Sequence, residues 1–190
     1  MEQQTVKTRI VNGVNLDRLF ETIDAMKAAP TMAKFNFRAN NEWMGCGHSR
    51  TTVKSFHGAH EDIDHKNMFM LEADEPDILL GQDMGANPVE HLLHAIAGCV
   101  TSAMVYHAAA KGIEIQEVES KIEGNIDLQG FLGLRDDIRR GYESIRMTFK
   151  IKADASDEEL EELVKLGPTY SPVFDSVSKG VPITVTGERM

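Results

Sequence analysis

Residues 87–112 read NPVEHLLHAIAGCVTSAMVYHAAAKG, and both ends of a helix are written into that stretch. Asn87 suits an N-cap, Pro88 suits the first helical position, and Glu90 can reach back to the cap N–H. Gly112 is the expected left-handed stop, and Lys111 before it places a cation in the last turn. Between Glu90 and Lys111 there is no Lys, Arg, Asp or Glu. Leu92, Leu93, Ile96, Val100, Met104 and Val105 fall on nearly every face, so the helix is expected to be buried all round. Cys99 stands in its middle. A lone thiol in such a helix is either inert packing or a protected reactive centre.

Working outward, residues 15–29 carry a helical stripe (Leu16, Leu19, Phe20, Ile23, Met26) that Pro30 stops. Residues 34–43 and 49–56 alternate as strands around Gly45-Cys46-Gly47, which reads as a hairpin turn. The polar run 57–65 reads as loop, 67–72 as a short strand, and 74–83 as a second loop. Beyond the helix, 115–128 and 144–151 alternate as half-buried strands, with a charged loop over 130–141. Ser156 and Glu159 form a capping-box pair for another helix that Gly167-Pro168 is expected to end. Ser171-Pro172 opens a short helix to Lys179, and 182–187 reads as a closing strand. Strands, a buried helix, strands, two helices and a strand make an α+β order rather than a regular βα alternation. The expected division is an N-terminal extension with one amphipathic helix, 1–33, and a main domain, 34–190. A helix apolar on all sides needs cover on its second face, so a homodimer is expected.

The chain has 190 residues and a net charge of −10, from 30 acidic and 20 basic residues. That balance disfavours phosphate backbones and anionic lipid as partners. The start, Met1-Glu2-Gln3-Gln4, is polar and lacks an apolar signal core. His91, His94, Thr101, Ser102, Tyr106 and His107 make bilayer insertion of the long helix costly, so no membrane span is expected. A cytoplasmic location follows, where Cys46 and Cys99, the only two cysteines, stay reduced. His57, His60 and His65, and the pair His91 and His94, match no zinc spacing; no metal or other cofactor is expected.

The run Asn87-Pro88-Val89-Glu90 with Gly98-Cys99 in the same helix resembles the OsmC/Ohr family, named for osmotically inducible protein C and organic hydroperoxide resistance protein. The upstream hairpin, the strand pair after the helix, Tyr170-Ser171-Pro172-Val173 and Val181-Pro182-Ile183-Thr184-Val185 agree with it, over roughly residues 34–187. The resemblance implies an OsmC-like fold in which antiparallel sheets wrap long central helices in an intertwined homodimer. It also implies a thiol peroxidase that reduces organic hydroperoxides at the dimer interface. Cys99 matches the family's peroxidatic thiol. Arg50 is the best match to its arginine, and Arg38 on the preceding strand is the second. Two positions depart from the pattern. The resolving cysteine is replaced by Ser171, and the carboxylate that follows Asn-Pro is replaced by Val89, with Glu90 one residue later. Glu90 is therefore a candidate Arg-orienting carboxylate, turned by about 100° on the helix from the family's position.

The chemistry is consistent with those matches. A thiol of ordinary pKa needs help to ionise at neutral pH, a mid-helix position gains little from the dipole, and burial opposes ionisation. A guanidinium is the remaining lever, and it can stabilise both the thiolate and a leaving alkoxide. Cys46 is a candidate alternative resolving thiol, but it lies four residues before Arg50, about 13 Å along a straight strand, and a disulfide needs Cα atoms within roughly 7 Å. An external thiol or dithiol reductant is otherwise required. Ser171 before Pro172 reads as a helix N-cap rather than a nucleophile. A second function class stays open: a non-enzymatic dimeric module, or redox sensor, holding an apolar ligand in the interface cavity.

Overall fold

The computed structural model describes residues 8–190. The polar opening Met1–Gln4 lies outside the described residues. The chain packs as two compact units. One comprises Asn15–Leu92 with the described residues up to Ile10, and the other comprises Val11–Val14 with Leu93–Met190.

The first unit is a helix and a twisted antiparallel sheet. After the short strands β1 (Ile10–Val11) and β2 (Val14–Asn15), helix α1 runs Leu16–Ala28, capped by the Asn15 side chain, which accepts from the Arg18 N–H. Strands β3 (Asn36–Phe37), β4 (Asn40–Gly45), β5 (His48–Gly58) and β6 (Glu61–Ala73) follow. β5 is central: β3 and β4 pair along one edge and β6 along the other, all antiparallel. The turn between β4 and β5 is where the sequence places it, with Gly45 at φ 132° and Cys46 at φ 48°.

The polar run 57–65 is not a loop. It is the tip of one long hairpin, in which Gly58 pairs with Glu61 around Ala59 and His60, both at positive φ (51° and 70°). Two left-handed residues make the tight turn whose twist matches the flanking strands. Neither residue is the usual Gly or Asn, so the turn is hidden from a sequence reading. The hairpin register is irregular between Val53 and Ser55, and Phe35, Phe37, Phe56, His65 and Phe69 form a chain of ring contacts across this end of the sheet.

Helix α2 runs Pro88–Lys111 and stops at Gly112 (φ 76°), where the Ile113 N–H donates to the Ala108 carbonyl. In the second unit it is followed by β7 (Ile115–Asn125), the one-turn α3 (Leu128–Phe131), β8 (Ser144–Ala153), α4 (Asp157–Tyr170) and α5 (Pro172–Lys179). β7 and β8 pair antiparallel. Met104, Ala108 and Leu163 are wholly buried and form the core, with Ile115, Phe149, Ile151 and Leu160 packed around them. The Asn12 side chain ties the β1–β2 turn to the start of β7. Its amide donates to the Ile113 carbonyl (2.9 Å) and its oxygen accepts from the Ile115 N–H (2.8 Å), as a strand's own peptide group would.

Three further expectations change. α4 does not end at Gly167-Pro168 but continues to Tyr170. Gly167 is buried, and a Cβ there would lie 2.9 Å from Val100 Cγ1 and 3.0 Å from the Val100 carbonyl. The glycine is a close crossing of α4 on α2, and Pro168 costs one hydrogen bond in the last turn. Residues 182–187 form no strand, and Ile183 and Val185 are more than four-fifths exposed. β7 and β8 pair with each other, and among the described residues no strand pairs with this segment. Finally, α2 is not buried all round. Ile96, Val100, Met104, Ala108 and Ala109 are buried, whereas His94, Gly98, Ser102 and Tyr106 form an exposed row at four-residue spacing. By length and composition α2 could cross a bilayer. Its buried face packs instead against α4.

Candidate functional site

Arg50 lies on β5 between Glu42 of β4 and Glu72 of β6 in the strand register. Its Nε donates to Glu72 Oε1 at 2.6 Å. The other carboxylate oxygen, Oε2, lies 2.8 Å from His48 Nε2. The cross-strand position fixes this pairing, because side chains directly opposite on one face are within reach of each other. Hydrogen bonds from Arg50 and His48 hold the Glu72 carboxyl below its ordinary value, outweighing the partial burial that opposes ionisation. The Glu72 carbonyl in turn meets His91 Nε2 at 2.9 Å, tying β6 to the first turn of α2.

The carboxylate on the arginine is therefore Glu72. Glu90 does not orient Arg50: its carboxylate accepts from the Asn87 N–H at 2.9 Å, completing a capping box with the Asn87 side chain, which accepts from the Val89 N–H. The one-residue offset from the family's position explains the difference, since it turns Glu90 back onto the helix end. Glu72 is detectable in the sequence only if the hairpin register is known, because 22 residues separate it from Arg50.

Arg38 is at the other end of the hairpin. It donates to Asn36 and, at 3.0 Å, to Asp62, whose strand partner is His57. His57 is seven residues from Arg50 along β5, about 23 Å. Arg38 is engaged there as a surface ion pair.

The loop between β6 and α2 is held by Asp74, which is fully buried. Burial pushes its carboxyl up, but hydrogen bonds from the Glu75, Met84 and Gln82 N–H groups outweigh that and leave it lowered. Cys46 is exposed at the hairpin turn, and its Sγ–H donates to the Leu80 carbonyl of the same loop at 3.1 Å.

In the second unit, Cys99 sits one residue before the buried Val100 on α2 and is half-buried. Both cysteines are free thiols. Ser171 is 1% exposed and caps α5, accepting from the Phe174 N–H at 3.1 Å. Its hydroxyl is thus engaged as a cap, as the Ser-Pro pattern predicts. Next to it, the Tyr170 ring stacks on His107 of α2 with centroids 4.1 Å apart. Among the described residues no group of His, Cys, Asp and Glu could hold a metal ion.

A family model described as OsmC-like protein matches residues 81–186, which include α2, Cys99 and Ser171. Among curated proteins none matches the chain. Solved structures share the fold at low identity. An OsmC-like protein from Mycoplasma pneumoniae is 18% identical with a TM-score of 0.56, over 75% of this chain and 87% of its own. A protein from Psychrobacter arcticus, described as a putative osmotic stress induced and detoxification response protein, is 13% identical with a TM-score of 0.54, over 73% and 85%. An organic hydroperoxide resistance protein OsmC from Legionella pneumophila is 17% identical with a TM-score of 0.53, over 75% and 88%. With more than half of its length matched by that family and an α+β fold shared with these structures, the chain belongs to the OsmC-like protein family.

Proposed function

We propose that this protein reduces organic hydroperoxides, with Cys99 as nucleophile and Arg50 as the cation that stabilises both thiolate and leaving oxygen. The observation that carries the reading is a lone, half-buried free thiol on the long helix of the family-matched segment. The Cys99 sulfur attacks one peroxide oxygen and the O–O bond breaks. Cys99 becomes a sulfenic acid, and the released alkoxide takes a proton and leaves as an alcohol. An external thiol condenses with the sulfenic acid, releasing water. A second thiol frees Cys99 and departs as a disulfide. External reductant is needed because the family's second thiol is Ser171 here, already engaged as a cap.

The working form in this reading is a cytoplasmic homodimer without cofactor. The exposed row on α2 and the bare alternation of Val181, Ile183 and Val185 support the dimer, since both are surfaces that a second copy could cover. A second reading is favoured by the same Ser171: a non-enzymatic dimeric module or redox sensor that holds an apolar ligand in the interface cavity, its Cys99 oxidised by a hydroperoxide without turning over. Cumene hydroperoxide consumption with dithiothreitol as reductant, followed by mass spectrometry of Cys99, decides between them. Multiple turnovers abolished in Cys99→Ser support the enzyme. One oxidation per chain and no further consumption supports the sensor, and unaltered consumption in Cys99→Ser overturns both.

A further inference from the structure

Resting on the reading of Arg50 as the cation that steadies the oxygen leaving a hydroperoxide, we propose that Met70 is an oxidation site whose sulfoxide closes Arg50 to substrate. In the register of β5 and β6, Met70 pairs with Thr52 and Glu72 pairs with Arg50. Paired residues, and those two apart along a strand, share one face of a sheet, so Met70 is the diagonal neighbour of Arg50 on the same face. Such neighbours lie about 7–8 Å apart, within reach of two long side chains. Met70 is 61% exposed, and its thioether is flexible and polarisable. Arg50 spends only Nε on Glu72. Its terminal nitrogens donate to no protein group among the described residues, on a side chain 38% exposed. A hydroperoxide hydrogen-bonded to those nitrogens is within reach of the Met70 sulfur. The sulfur lone pair attacks the hydroxyl-bearing oxygen and the O–O bond breaks. Arg50 stabilises the departing alkoxide, which takes the hydroxyl proton and leaves as an alcohol. The thioether is oxidised to a sulfoxide and the peroxide is reduced. The new S=O is a polar acceptor beside free guanidinium donors, so it occupies the nitrogens that substrate needs. Two other methionines serve as internal references. Met68, 54% exposed, shares the face but lies two residues, about 6.6 Å, farther along β6, and Met190 is fully exposed.

The experiment treats the full chain carrying Cys99→Ser with cumene hydroperoxide and follows each methionine by peptide mass spectrometry. Removing the thiol leaves the peroxide to the thioethers. Met70 should oxidise about tenfold faster than Met190, the scale of one hydrogen bond to a charged donor. Met68 should stay within about twofold of Met190, since the reach of Arg50 ends at its diagonal neighbours. The excess at Met70 should vanish when Arg50→Ala is added, or Arg50→Gln if the alanine variant unfolds early. Equal rates at Met70 and Met190 would overturn the inference, as would an excess that survives the loss of Arg50. With Cys99 present, cumene hydroperoxide turnover should fall as Met70 sulfoxide accumulates and return after treatment with methionine sulfoxide reductase and dithiothreitol. No fall, or a fall that the reductase leaves in place, would overturn the closing of Arg50. The underlying reading fails separately: Cys99 turnover unchanged in Arg50→Ala removes the role of the arginine before any methionine is measured.

Discussion

Replacing Gly167 with alanine tests the packing of the second unit at its tightest point. The added methyl would sit 2.9 Å from Val100 Cγ1 and 3.0 Å from the Val100 carbonyl oxygen, against 3.6 Å from Met104 Cβ. Carbon atoms are comfortable at about 3.5–4.0 Å, so only the Met104 contact is acceptable. Neither close neighbour can yield easily. One is backbone in the middle of α2. The other belongs to a buried β-branched side chain with a single favoured rotamer in a helix. The following Pro168 adds to the strain, because its ring crowds the Cβ of a preceding helical residue. Overpacking of this kind costs about 1–3 kcal/mol, and glycine to alanine in a helix returns about 1 kcal/mol. With two rigid obstacles and the proline, the upper half of that range applies, leaving a net loss of about 1–2 kcal/mol. For a chain of this size that lowers Tm by about 3–6 °C. Thermal unfolding followed by far-ultraviolet circular dichroism would measure it. An unchanged or raised Tm would show that α4 is not seated on α2 as described.

Asn12→Ala should destabilise by about 2 kcal/mol in urea titration, because it strips partners from the Ile113 carbonyl and the Ile115 N–H and puts a methyl side chain at φ 51°. Glu72, Asp74 and Glu123 all sit below their ordinary values. Glu123 is lowered from 4.5 to about 2 by Lys121 and Arg146, and such depressed carboxylates contribute fully above the unfolded value and lose that contribution as pH falls through the folded one. Stability measured from pH 7 downward should therefore hold to about pH 4.5 and then decline, and a flat profile from pH 5 to 2 would contradict the ion pairs. If the proposed homodimer forms, removing residues 180–190 should shift sedimentation toward monomer at low micromolar concentration. An unaltered profile would show that Val181, Ile183 and Val185 take no part in holding two copies together.

How much of this was legible in the sequence depends on the range of the forces involved. Both ends of α2 were readable because capping is local chemistry, and Asn87, Glu90 and Gly112 do what their types suggest. The caps at Asn15, Ser156 and Ser171 were legible for the same reason. The hairpin tip was not, since Ala59 and His60 carry no turn signature and are forced left-handed by long-range pairing on both sides. Gly167 misled because a glycine that ends a helix and one that lets two helices touch look alike in sequence. Cys99 and Arg50 are candidates that pattern alone can name. The carboxylate on Arg50 is not, because Glu72 meets Arg50 only through a register that slips within the strand pair. The empty alternation at 182–187 was read as a strand from period alone, and period does not supply a neighbour.

The chain has one tryptophan, and it occupies an unusual seat. Trp43 is three-quarters exposed near the end of β4, with its indole N–H donating to the Cys46 carbonyl across the turn at 2.9 Å. Tryptophan emission from this protein is therefore a gauge of one hairpin corner. A dye or alkylating tag placed on the exposed Cys46 would quench or shift that emission directly. The corner thus doubles as a built-in optical reporter of chemistry at the spare thiol, leaving Cys99 to be followed by other means.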